Sequence, residues 1–178
     1  MITVYPYQSL GSADYGWLKT RYHFSFSEYH NPNRMGFGTL RVINDDTIQP
    51  GTGFPLHPHR NMEISTYVTE GAITHTDSEG NKGRTEAGDV QVMSAGKGIA
   101  HSEYNIEPGI TRLFQIWITP KTTHLNPSWN THQFPRQHTE NSLQLLVSGD
   151  GKAPLSIHQD AQIYAGHLGP DQTITHHL

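Results

Sequence analysis

Cysteine is absent from the 178 residues. That excludes disulfides, thiolate metal sites and thiol nucleophiles. A basic block is absent too. Lys and Arg number 12 against 16 Asp and Glu, a net charge of −4, so no electrostatic grip on nucleic acid is expected. No apolar run is long enough to cross a bilayer, and no membrane partner is expected. Residues 1–20, which include Asp14 and Lys19, lack the apolar centre of a signal peptide. The cytoplasm, with its reducing conditions, is therefore the expected location. No stretch carries an amphipathic helix of useful length. Hydrophobic residues make up 34%, and the length allows one well-buried core, or one and a partial second.

What remains is a chain of short strands and turns. Tyr22-His-Phe-Ser-Phe-Ser27 alternates aromatic with polar residues and predicts a half-buried strand. Residues 36–43 predict another, with Asn44-Asp45-Asp46 as the turn that ends it. Further strands are expected over 62–69, 72–77, 83–85, 90–93 and 113–119, the last the most apolar run and a central strand ended by Pro120. Turn signals every eight to twelve residues point to an all-β sandwich or barrel closed by Pro120. Residues 121–136, polar and carrying Pro127 and Pro135, predict a connector. Strands over 143–147, 155–158, 162–168 and 173–178 then predict a partial second β unit. The division is thus 1–120, 121–136 and 137–178. Some forty residues are too few for an independent core, so the last strands must pair with the first unit or with another chain.

Histidine is abundant, at 13 residues. Two pairs stand out. His57 and His59 follow Gly51 and Gly53; His101 and Glu103 follow Gly96 and Gly98. Side chains two apart on a strand share a face, so each pair presents two ligands to one side. Separated by a hairpin's length of chain, the pairs can converge on one cation. Three imidazoles and a carboxylate suit a divalent transition metal and leave an exchangeable position. Taken singly, His57 reads as a loop residue and His101 as a satisfied core histidine; the four together read as a metal site. Gly96 and Gly98 are expected to let the backbone bend close to the metal. His75, His124, His132, His138 and His158 read as surface or loop residues, and His176-His177 as an adventitious metal binder.

These residues carry a family resemblance. Gly51, His57, His59, Glu63 and Gly71 resemble the first cupin motif with one extra residue, and Gly98, His101 and Asn105 resemble the second. The segments 22–29, 36–46, His57-Pro-His-Arg-Asn-Met-Glu63, 93–103 and Gln115-Ile-Trp-Ile118 resemble the pirin family, including bacterial members described as quercetin 2,3-dioxygenases. The resemblance spans roughly residues 10–168. It implies a cupin β-barrel (a jelly roll) within a bicupin whose N-terminal barrel is complete and whose C-terminal barrel is incomplete. It implies that His57, His59, His101 and Glu103 bind the metal and that Glu63 does not. Iron(II) is the expected metal, with nickel, manganese, cobalt, copper or zinc as alternatives. The implied reaction is opening of a flavonol by dioxygen, with Glu103 also acting as base on the substrate hydroxyl. Phe24, Phe26 and Phe37 are candidates to stack on a flat substrate, with at least two of the three expected in the core. Two rivals stand beside this: a regulator whose metal redox state alters a partner surface, and a sugar- or small-acid-binding cupin with a structural metal. Because the chain ends at Leu178, partway into the second unit, self-association through exposed strand edges is expected.

Overall fold

The computed structural model describes residues 3–135 and 142–176. His138, His177 and the last two positions of the expected strand over 173–178 lie outside them; 173–176 form no strand. Among the described residues fourteen strands are formed: β1 (Gly11–Asp14), β2 (Leu18–Tyr22), β3 (Leu40–Ile48), β4 (Thr52–His59), β5 (Glu63–Glu70), β6 (Ala72–Asp77), β7 (Lys82–Glu86), β8 (Val90–Ser94), β9 (Ile99–Asn105), β10 (Thr111–Ile118), β11 (Ser128–His132), β12 (Leu143–Ser148), β13 (Leu155–Ser156) and β14 (Gln162–Gly166). A seven-stranded sheet in the order β1-β2-β3-β10-β5-β8-β11 accompanies a four-stranded sheet, β4-β9-β6-β7. A third sheet, β13-β12-β14, is built from the C-terminal segment. The fold is all-β, and among the described residues no helix is long and apolar enough to cross a membrane.

Among the described residues, the buried apolar side chains form three clusters. Leu18, Ile48, Val68, Ile73 and Leu113 gather strands of both larger sheets, with Trp17 and Phe54 against them. Ile64, Met93, Ala95 and Ile99 form a second group with Trp117 and Trp129. Val90, Val92 and Ile118 pack with Phe134, Leu146, Val147, Leu155 and Ile157, so the small sheet is docked on the large one. Each such side chain contributes roughly 1.5–3 kcal/mol when removed from water. Docking leaves all five residues of β8 buried and erases the alternation a one-sided strand would show.

Three local expectations change. Asn44-Asp45-Asp46 is not a turn but the middle of β3, held by β2 on one side (Thr20 opposite Asp46) and β10 on the other (Phe114 opposite Asp45). Two flanking ladders override the turn preference of the three polar residues. The strand expected over 22–27 stops at Tyr22. Ser27 adopts φ 53°, and the chain folds back so that Phe26 and Tyr29 exchange hydrogen bonds, with both rings against Tyr22. Within the polar stretch 121–136, β11 pairs along the whole of β8.

Candidate metal centre

Strand β9 is the spine of the site. Its inward residues Ile99, His101, Glu103 and Asn105 are buried, alternating with more exposed ones. On one side it pairs with β4, where His57 lies opposite His101 and Phe54 opposite Glu103. Between these pairs, two residues of β4, Pro55 and Leu56, stand against one of β9, Ser102, a bulge that re-aims His57 and His59. On the other side it pairs with β6, where Asp77 lies opposite His101 and His75 opposite Glu103. Gly53 is required beside this junction: a Cβ there would stand 2.2 Å from the Glu103 carbonyl oxygen. Gly96 (φ 47°) serves a different contact from the one expected, since its Cβ would strike the Leu125 carbonyl at 2.1 Å.

The ring nitrogens define the chemistry. His57 Nδ1 donates to the Pro55 carbonyl at 2.7 Å, which leaves Nε2 as a lone pair. That atom stands 3.1 Å from His101 Nε2. On its other side, His101 Nδ1 is 3.3 Å from His75 Nδ1, and His75 Nε2 is 2.9 Å from Asp77 Oδ2. An ionised carboxylate only accepts, so His75 carries its proton on Nε2, and His101 donates through Nδ1. His101 Nε2 is then a lone pair facing another lone pair. Two such atoms repel unless a cation shares them. Their separation matches two adjacent ligands of one ion, because metal–nitrogen bonds of about 2.1 Å at a right angle place the nitrogens about 3 Å apart. His59 Nε2 is buried with no hydrogen-bond partner among the described residues, a third nitrogen waiting for the same ion. The donor atoms of His57, His59 and His101 lie within 4.8 Å of one another. Burial, reinforced by His57, lowers His59 to about 4. Burial and the three neighbouring histidines lower His101 to about 2, so both rings are neutral and able to ligate.

Glu103 falls in a second cluster, with His75 and His101, and shares His101 with the first. It is wholly buried. Oε1 accepts from Gln91 Nε2 at 2.5 Å and Oε2 from Gln115 Nε2 at 3.2 Å. Burial, with the negative Asp46 nearby, raises it to about 7. His75 is a correction to the sequence reading. Far from being a surface residue, it is 0% exposed and stacked on Trp129 at 4.8 Å. Burial lowers it, and Asp77 partly restores it. The signal was present, since His75-x-Asp77 repeats the same two-residue period one strand away. Asp77 anchors this chain of contacts. Burial alone would raise its carboxyl, but hydrogen bonds from His75, Asn81 and Glu79 hold it below its ordinary range.

Glu63 lies in neither cluster. Its Oε2 accepts from Ser94 Oγ at 2.6 Å and from the His158 backbone N–H at 3.1 Å, pinning the C-terminal segment to β5 and β8.

His57 and His59 open into a cavity of 180 Å³ walled by Phe26, Phe54 and Trp117 and floored by Asn44 and Asp46 of β3. Phe26 packs edge-on to Trp117 at 5.3 Å. None of the three phenylalanines is a core residue: Phe24 and Phe26 are half-buried and Phe37 is 79% exposed. The outward fold of residues 23–39, with φ 57° at Gly38, keeps them off the sheet interior.

The family model for pirin matches residues 4–118. The chain belongs to the pirin family. It is 54% identical over its whole length to a pirin-like protein of Caulobacter vibrioides, covering 78% of that protein. To a quercetin 2,3-dioxygenase of Escherichia coli it is 45% identical over 94% of its length and 72% of that protein's. The crystal structure of the bacterial pirin YhhW from Escherichia coli in complex with nickel(II) superposes with a TM-score of 0.81 at 45% identity, over 89% of this chain and 68% of that one. A cupin-type, metal-dependent centre is therefore a property this pirin shares with its relatives.

Proposed function

We propose that this pirin is a metal-dependent dioxygenase that opens a flavonol with dioxygen, its ion held by His57, His59, His101 and Glu103. One observation carries the reading. Two of the three convergent imidazoles, His57 and His59, open into an aromatic-walled cavity while His101 closes the site from the core side, so an ion there would meet a flat organic ligand. The nickel-bound YhhW and the relatives bearing the quercetin 2,3-dioxygenase name support it. When bound, a divalent iron or nickel supplies Lewis acidity that lowers the pKa of the flavonol's 3-hydroxyl.

The chain's own residues do the rest. His57 and His101 present fixed tautomers, set by the Pro55 carbonyl and by the His75–Asp77 pair. Phe54 and Trp117 hold the ring flat and exclude water. Glu103, its oxygens aligned by Gln91 and Gln115, takes the hydroxyl proton as base. At 180 Å³ the cavity is smaller than typical pockets of roughly 300 Å³ and above, so it accommodates the reacting ring and leaves the rest of the flavonol toward solvent.

The test is anaerobic loading with iron(II) or nickel(II), addition of quercetin, then admission of oxygen. Oxygen-dependent loss of flavonol absorbance with release of carbon monoxide is expected, and its absence in His101→Ala. Flavonol binding with no decay above that control would assign the site to binding or sensing instead.

A further inference from the structure

The floor of the cavity holds two residues that the metal centre does not account for. Along β3, the inward row reads Val42, Asn44, Asp46, Ile48. The outer two are apolar core; the inner two are polar, at 4% and 2% exposure. Asn44 Oδ1, Asp46 Oδ1 and the hydroxyl of Thr20, which faces Asp46 from β2, have no hydrogen-bond partner within bonding geometry among the described residues. All three residues line the same cavity as His57 and His59.

A buried polar group without a partner works against folding, and most are satisfied. Valine at either position would fit the apolar row and remove the penalty. Local rules broken in this way, with no structural compensation, mark functional positions. Thr20, opposite Asp46 on β2 and on the same wall, brings one hydroxyl for two orphan acceptors, so at least one acceptor is left for a partner from the cavity, and that partner's chemistry is constrained. Asp46, when ionised, only accepts, so its complement is an O–H or N–H donor. The walls are aromatic, so that donor rides on a flat ring. His57 and His59 face the same space, so the ring also presents a group to the ion. Burial raises the Asp46 carboxyl to about 7, with the neighbouring Thr20 hydroxyl offsetting only part of the rise.

We propose that Asp46, assisted by Asn44, reads a second hydroxyl on the ring system that the metal centre engages, so the cavity selects aromatic ligands with two or more hydroxyls over those with one. This rests on the flavonol reading for the ligand's scaffold. It adds the residue that discriminates among members of that class. A site built to accept a hydroxyl rejects analogues lacking it far more strongly than an apolar pocket could, because its own acceptors are then stranded.

The test uses nickel-loaded protein without oxygen at pH 8, where Asp46 is ionised. Dissociation constants are measured by tryptophan fluorescence for quercetin and for 3-hydroxyflavone, which lacks the additional hydroxyls. Wild type is expected to favour quercetin at least tenfold. Asp46→Val is expected to bring the ratio close to one by weakening quercetin alone, and Asn44→Leu to move it the same way. Asp46→Asn, which keeps the shape and an acceptor oxygen, is expected to fall between and guards against a folding defect in the valine variant. A ratio unchanged in folded Asp46→Val overturns the assignment, and so does equal weakening of both ligands. Binding with Asp46-dependent selectivity but no turnover in oxygen would sink the dioxygenase reading and leave this one standing. Failure of wild type to bind either flavonol would overturn both.

Discussion

Replacing Glu63 by glutamine separates two roles that a motif glutamate beside a histidine pair can have. The structure gives it a clamp. Glu63 is 1% exposed, and a single oxygen receives the Ser94 hydroxyl and the His158 backbone N–H. Both are bonds to a charged acceptor, each worth roughly 1.5–3 kcal/mol against about 1 kcal/mol for a neutral equivalent. Glutamine keeps one neutral oxygen and adds a buried NH₂ that has only the Ser94 hydroxyl oxygen and the His158 ring to meet, so the Ser94 bond must reverse or the His158 N–H bond weaken. The net loss is about 2–4 kcal/mol. For a chain of this length that lowers Tm by roughly 10 °C. Urea unfolding should show the midpoint falling at constant m. Amide exchange should quicken in β13, which leads directly into His158. Nickel stoichiometry should stay at one per chain, with affinity changed less than threefold. A Glu63→Gln protein of undiminished stability that has lost its metal would refute the clamp and make Glu63 a ligand.

Two further outcomes follow from the same geometry. His75→Phe preserves the stack on Trp129 but leaves His101 Nδ1 without its acceptor; losing an outer-shell partner of this kind should cost 10–100-fold in nickel affinity by competitive titration, and an unchanged affinity would contradict the orienting role. In the metal-free protein, Asp46→Asn should stabilise at pH 8 and do nothing near pH 3. The folded carboxyl, raised to about 7, holds its proton more tightly than the unfolded one, so wild type loses stability as pH rises from about 4 to 7, by at most about 4 kcal/mol. Denaturation midpoints across that range check the sign, and a variant penalty that grows toward high pH would show the charge to be paired.

Much of this was legible in the residues. The two-residue spacing of His57 with His59 and of His101 with Glu103 placed each pair on one strand face, because strand periodicity is local and admits no other outcome. Opposed pairing of β4 and β9, which brings His57 against His101, was only implied. What stayed hidden depends on more than one strand at once. Asn44 and Asp46 read as turn residues because nothing in their own segment shows that two ladders hold them extended around a cavity. His75 read as exposed because its burial comes from Trp129, on a strand more than fifty residues away. Even β11 lay concealed, since an edge strand bounded by Pro127 and Pro135 carries the composition of a loop.

In the proposed centre, side chains from two motifs grip one ion. The most direct measurement is nickel titration of the metal-free protein with X-ray absorption on the loaded form. One nickel per chain is expected, bound by three imidazoles and one carboxylate, lost on His101→Ala and retained on Glu63→Gln. Two nickel ions per chain, or full binding without His101, would contradict it.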